Sequence, residues 1–140
     1  MMYATLSDMQ QRYQKRSLDL LTKAKTEDAK PDDSLIERAL SDACGLVDSY
    51  ISARYRLPLT VVPQALAQQC CVIAFYYLND LRATEQTTKR YEDALRWLRD
   101  VRDGKIPLGV DEAGAAPDSE DLAQVVSDPL VFSRQQKGFI

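Results

Sequence analysis

Three cysteines, many carboxylates and one arginine–tyrosine string are the residues of this chain whose types could carry chemistry. Cys70 and Cys71 are adjacent. Neighbours on a helix point about 100° apart, so they do not form a joint tetrahedral metal site as a spaced pair can. Set in the apolar run from Cys70 to Leu78, they read as buried thiols. The chain has no histidine, which removes the commonest general base and metal ligand. Its five glycines form no phosphate-cradling loop, and no pair of carboxylates stands in a spacing that suggests acid–base work. The expectation is a protein that is not an enzyme and uses no cofactor.

The string Ser49-Tyr50-Ile51-Ser52-Ala53-Arg54-Tyr55-Arg56-Leu57-Pro58-Leu59 is the more unusual feature. Its simplest reading is a helix terminus whose arginines favour the negative end of the dipole, followed by a proline stop. A second basic group, Lys89, Arg90, Arg96, Arg99 and Arg102, alternates with Glu85, Glu92, Asp93, Asp100 and Asp103. That stripe is largely self-compensated and reads as a solvated helix face or a subunit contact. The net charge of -3 also argues against a protein built to grip nucleic acid, which needs a basic face.

The elements that must hold these residues are helical. Thr5-Leu6-Ser7-Asp8 resembles a capping box and opens a short helix to about Tyr13. Ser17 to Ala24 reads as a second short helix, and Thr26 to Asp33, with Pro31, as a polar loop. Leu35, Ile36, Ala39, Leu40, Ala43, Leu46, Val47, Tyr50 and Ile51 recur at threes and fours, which predicts a long third helix from Ser34 to Tyr55. Pro58 forces it to end by about Arg56. Pro63 suits the first turn of a fourth helix reaching about Asp80. That helix is apolar on more than one side and therefore central. Thr84 or Thr87 opens a fifth, with Tyr91, Ala94, Leu95, Leu98 and Val101 inward and Gly104 as its stop.

With 140 residues, 45% of them hydrophobic, the chain is expected to be one domain with an appendage. The fold class is all-α: a small bundle of four to five helices, two of them long, over 1–110, and an extended C-terminal arm over 111–140. Asp111 to Asp128 carries six carboxylates and no basic residue, a composition too poor in apolar surface to order itself. The chain nevertheless closes with Leu130, Val131, Phe132, Arg134, Phe139 and Ile140, and the expectation is that a partner holds them. No signal-like start and no apolar run near the ~20 residues of a membrane span are found. An odd number of cysteines points to synthesis in a reducing cytoplasm.

Tyr3-Ala4-Thr5-Leu6, Ile36-Glu37-Arg38-Ala39-Leu40-Ser41-Asp42-Ala43, Asp48-Ser49-Tyr50-Ile51, Ala53-Arg54-Tyr55, Leu57-Pro58-Leu59 and Arg90-Tyr91-Glu92-Asp93-Ala94-Leu95-Arg96-Trp97-Leu98, closing on Gly104-Lys105-Ile106-Pro107-Leu108-Gly109, together resemble a Mu-like bacteriophage and prophage family from the head-to-tail gene region. The resemblance runs from Tyr3 to Gly109 and leaves out Thr26 to Asp33 and the tail after Val110. That family looks like the head–tail connectors of tailed phages, also called adaptor or head-completion proteins. The resemblance implies a homo-oligomeric ring, a dodecamer if it matches portal symmetry, sitting beneath the portal protein in the neck of the virion. Tail or neck proteins would follow it, and double-stranded DNA would pass through without specific binding or any membrane. It implies ring contacts at Arg54, Tyr55 and Arg56, with Lys89 and Arg90 as further candidates, and docking of the arm through Leu130, Val131, Phe132, Arg134, Phe139 and Ile140. A DNA-binding regulator or packaging accessory using the fifth-helix arginines stays open as the alternative.

Overall fold

The computed structural model describes residues 1–28 and 30–110; the acidic stretch and the candidate docking residues from Leu130 to Ile140 lie outside the described residues. Five α-helices follow one another: α1 Leu6–Arg12, α2 Lys15–Lys23, α3 Asp33–Ile51, α4 Gln64–Asn79 and α5 Glu85–Arg102. A single 3-10 turn, Asp80–Arg82, joins the last two, and the described residues contain no strand. The all-α expectation holds.

Local chemistry sets the helix starts. The Thr5 side chain accepts from the Asp8 amide while the Asp8 carboxylate accepts from the Thr5 amide, a complete capping box at α1. Asp32 caps α3 through the Ser34 amide, and Thr84 caps α5 through the Thr87 amide. Pro63 is the N-cap of α4, one position earlier than the spacing suggests. Gly104 stops α5 with φ +81, a backbone region costly for any residue with a Cβ.

Packing then follows the apolar stripes. α3 buries Ile36, Ala39, Leu40, Ala43, Cys44, Val47 and Ile51, the stripe read from sequence with Cys44 added to it. α4 buries Leu66, Cys70, Cys71, Ile73, Ala74 and Leu78. It packs against α1, α2, α3 and α5, so it is the central helix. α5 turns Ala94, Leu98 and Val101 inward. Tyr91 of that helix stacks on Tyr76 of α4, ring centroids 4.0 Å apart, and Tyr13 stacks on Phe75 at 3.9 Å. The buried polar Thr22 closes its own account. Its hydroxyl donates to the Asp19 carbonyl and accepts from the Asp32 amide, tying the end of α2 to the start of α3.

α3 is shorter than its periodicity predicts. It ends at Ile51 rather than Tyr55 because the amides of Arg54 and Tyr55 both return to the Ile51 carbonyl, at 3.0 and 2.8 Å, and wind the chain into a turn. That turn swings Tyr55 and then Leu59 into the core.

Candidate interaction surfaces

The turn after α3 splits the arginine–tyrosine string among three environments. Tyr55 is 6% exposed, and its hydroxyl accepts from the Leu108 amide at 3.3 Å. The ring therefore serves the fold, and Tyr55 is corrected from an outward ring contact to a core residue that pins the 105–110 segment. Arg54 lies across the end of α5: a Cβ built on Gly104 would meet its Cζ and Nη1 at 2.8 Å. The positive φ is what calls for a glycine there; the guanidinium is the far end of a flexible, exposed side chain and can swing aside. Arg54 and Arg56 are both exposed, on either side of the buried Tyr55. The Arg102 guanidinium rests 5.6 Å above the Tyr50 ring, a cation–π contact that joins α5 to α3.

Lys89 and Arg90 are both exposed on the first half of α5 and face different ground. Lys89 lines a shallow surface with Glu85, Glu92, Asp93 and Arg96. Arg90 lines an open groove of about 430 Å³ with Arg12, Tyr13, Gln68, Gln69 and Val72. Within the stripe, Arg96 pairs with Asp93 at 2.8 Å and Arg102 with Asp103 at 3.2 Å, the self-compensation expected from the alternating charges. The two candidate groups do not converge. Gly104, which Arg54 covers, lies roughly 20 Å from Arg90 along α5 at 1.5 Å per residue.

A third feature escaped the sequence reading. Cys44 Sγ and Cys70 Sγ are 3.1 Å apart in the core between α3 and α4. Cys44 also accepts from the Tyr3 amide at 3.3 Å. The hydrogen bond shared with Cys70, helped by that amide, pulls the Cys44 thiol down against the effect of burial, while the same bond and burial push Cys70 up. Cys71 is raised by burial to about 11, against the opposing pull of the Arg12 guanidinium. Tyr3 and Ala4, almost fully buried, lie as an extended strap ahead of α1, and the Tyr3 hydroxyl donates to Asp48 of α3. Burial, followed by that hydrogen bond, raises the Tyr3 pKa. Adjacency drew attention to Cys70 and Cys71, whereas the true neighbour comes from another helix.

Among the described residues there is no group of three or more histidine, cysteine or acidic side chains that could hold a metal ion. No helix among them is long and apolar enough to cross a membrane.

Residues 3–127 match the family model described as "Bacteriophage Mu, Gp36". The chain belongs to that family. It is 55% identical to "Gene product J" of Escherichia phage Mu over 141 residues, covering the whole of both chains. It is 42% identical to "Mu-like prophage FluMu protein gp36" of Haemophilus influenzae over 110 residues, 78% of each chain. The resemblance read from sequence ends at Gly109; the Gp36 family match continues to residue 127 and takes in most of the acidic stretch.

Proposed function

We propose that this member of the Gp36 family is a structural head–tail connector, assembling as a ring of identical subunits beneath the portal, with its C-terminal arm anchoring each subunit to the portal or to a neighbour. The observation that carries this reading is the match of residues 3–127 to a bacteriophage Mu family, taken with the resemblance of its sequence pattern to head–tail connectors. The division of charge is in keeping with it. Up to Val110 there are 16 basic and 15 acidic residues; after it there are 2 and 6. A nearly neutral body beside an acidic arm suits a conduit through which a polyanion must slide, because each phosphate neutralised would add drag.

The two exposed basic groups at opposite ends of α5, Arg56 with Arg54 and Lys89 with Arg90, suit a heterologous contact. In such a contact one end of a subunit meets a different patch of the next, as closure of a ring requires. A DNA-binding role would draw on the α5 arginines, and two of these are already engaged with Asp93 and Asp103.

Electron microscopy of the purified protein mixed with its portal tests the proposal. Rings seated on the portal are expected; a protein that stays monomeric with and without portal refutes it. Deleting 129–140 is expected to leave the helical body folded by circular dichroism while abolishing docking. Docking that survives the deletion removes the arm from the assembly.

A further inference from the structure

We propose that Cys44 and Cys70 form an oxidisable pair that cross-links α3 to α4 when a small peroxide reaches the core. The two sulfurs stand 3.1 Å apart with nothing between them, so bond formation asks them to close by about 1 Å. Their environments are unequal in the way the chemistry needs. Either sulfur can donate the proton they share, but Cys44 Sγ alone also accepts from the Tyr3 amide, which favours thiolate character on Cys44 and makes it the attacking sulfur. Cys71 is equally buried but faces no second sulfur within bonding reach, so it is the built-in control.

The reaction balances with one peroxide. The Cys44 thiolate attacks an oxygen of hydrogen peroxide; an S–O bond forms, the O–O bond breaks, and hydroxide leaves and is protonated to water. The product is a sulfenic acid on Cys44. Cys70 sulfur then attacks Cys44 sulfur, the S–S bond forms, the S–O bond breaks, and the departing hydroxide takes the Cys70 proton as a second water. Two thiols lose two electrons and two hydrogens in all.

Access is set by the strap. Tyr3 and Ala4 cover Cys44, held by the Tyr3 hydroxyl on Asp48 and the Tyr3 amide on the sulfur. A bulky disulfide such as oxidised glutathione is excluded while the strap is seated, whereas a peroxide is little larger than water. The pair is thus expected to stay reduced in a cytoplasm and to close outside it. Its use to a virion rests on the connector reading, but its formation does not, because the purified chain suffices to observe it.

The test treats the native protein with hydrogen peroxide, then unfolds it, alkylates the free thiols and maps peptides by mass spectrometry. The expected product is a Cys44–Cys70 link with two hydrogens lost and Cys71 alkylated. It should also show a denaturation midpoint raised in keeping with a folded-to-unfolded ratio shifted on the order of a hundredfold. The Cys70→Ala variant should accumulate a sulfenic acid at Cys44 that a dione reagent captures. Three free thiols after treatment, a link that includes Cys71, or over-oxidised Cys44 without a cross-link would each overturn the assignment. The wild-type mapping decides the matter even if the variant does not fold.

Discussion

Replacing each of three glycines with alanine should give three different free-energy changes, and the structure sets their order. Gly45 is exposed within α3, and an added Cβ would meet nothing within 4 Å. Alanine there removes the entropic cost of glycine in a helix and should stabilise by about 0.5–1 kcal/mol. Gly109 has φ +90 and open space around it, so Gly109→Ala should cost the left-handed backbone term alone, about 1–2 kcal/mol. Gly104 combines φ +81 with Arg54 atoms 2.8–3.0 Å from the new methyl. The guanidinium, the far end of a flexible exposed side chain, has to swing aside, which adds little, and the total should stay at about 2 kcal/mol. Urea unfolding followed by circular dichroism measures all three, provided the dependence on urea stays constant. The decisive arm is the double variant Gly104→Ala with Arg54→Ala. With the guanidinium gone, the alanine should cost what it costs at Gly109, and the coupling should stay within about 0.5 kcal/mol. A coupling well above about 1 kcal/mol would refute the reasoning that the positive φ, and not the guanidinium, sets the cost at Gly104.

Thr22→Val keeps the shape of the side chain but strips the Asp32 amide of its acceptor, and should destabilise by about 1–3 kcal/mol in the same assay. Tyr55→Phe leaves the ring in the core and deprives the Leu108 amide of its acceptor; a loss of about 1 kcal/mol is expected, with faster amide exchange confined to the 105–110 segment. Alkali should weaken the fold through its buried acids. Burial raises Cys71 from its ordinary 9.0 to about 11 and Tyr77 from 10.0 to about 12. The neutral forms are the ones the folded state favours, so their contribution is intact below pH 9 and is lost as pH rises toward 12. Thermal melts across that range should fall, and Cys71→Ala should flatten the part of the decline between pH 9 and 11.

Much of the scaffold could be read from spacing because helices report themselves locally. The three- and four-residue recurrence from Leu35 to Ile51, the Thr5–Asp8 box, the all-round apolar character of α4 and the stop at Gly104 are interactions within a few residues of one another. What spacing did not reveal depends on contacts between distant segments. Tyr55 lies in phase with the buried Val47 and Ile51, so its inward side was legible, but not that its hydroxyl meets the Leu108 amide arriving from beyond α5. Cys44 meets Cys70 across two helices, a pairing that no count along the chain contains. The string from Arg54 to Arg56 stands out in the sequence, but its members divide between a buried tyrosine and two exposed arginines, a distinction that depends on burial rather than residue type.

The seating of Tyr3 and Ala4 has a bearing on how the molecule is made. Their seat is built from α3 and from the Cys70 face of α4, neither of which exists when these first residues leave the ribosome. At roughly 5–20 residues per second, several seconds pass before Cys70 is synthesised. Residues translated well ahead of their seat are thus among the last to find their place. Until then Cys44 lacks the strap that covers it, and a nascent chain stalled before α4 would present the apolar face of α3 to chaperones.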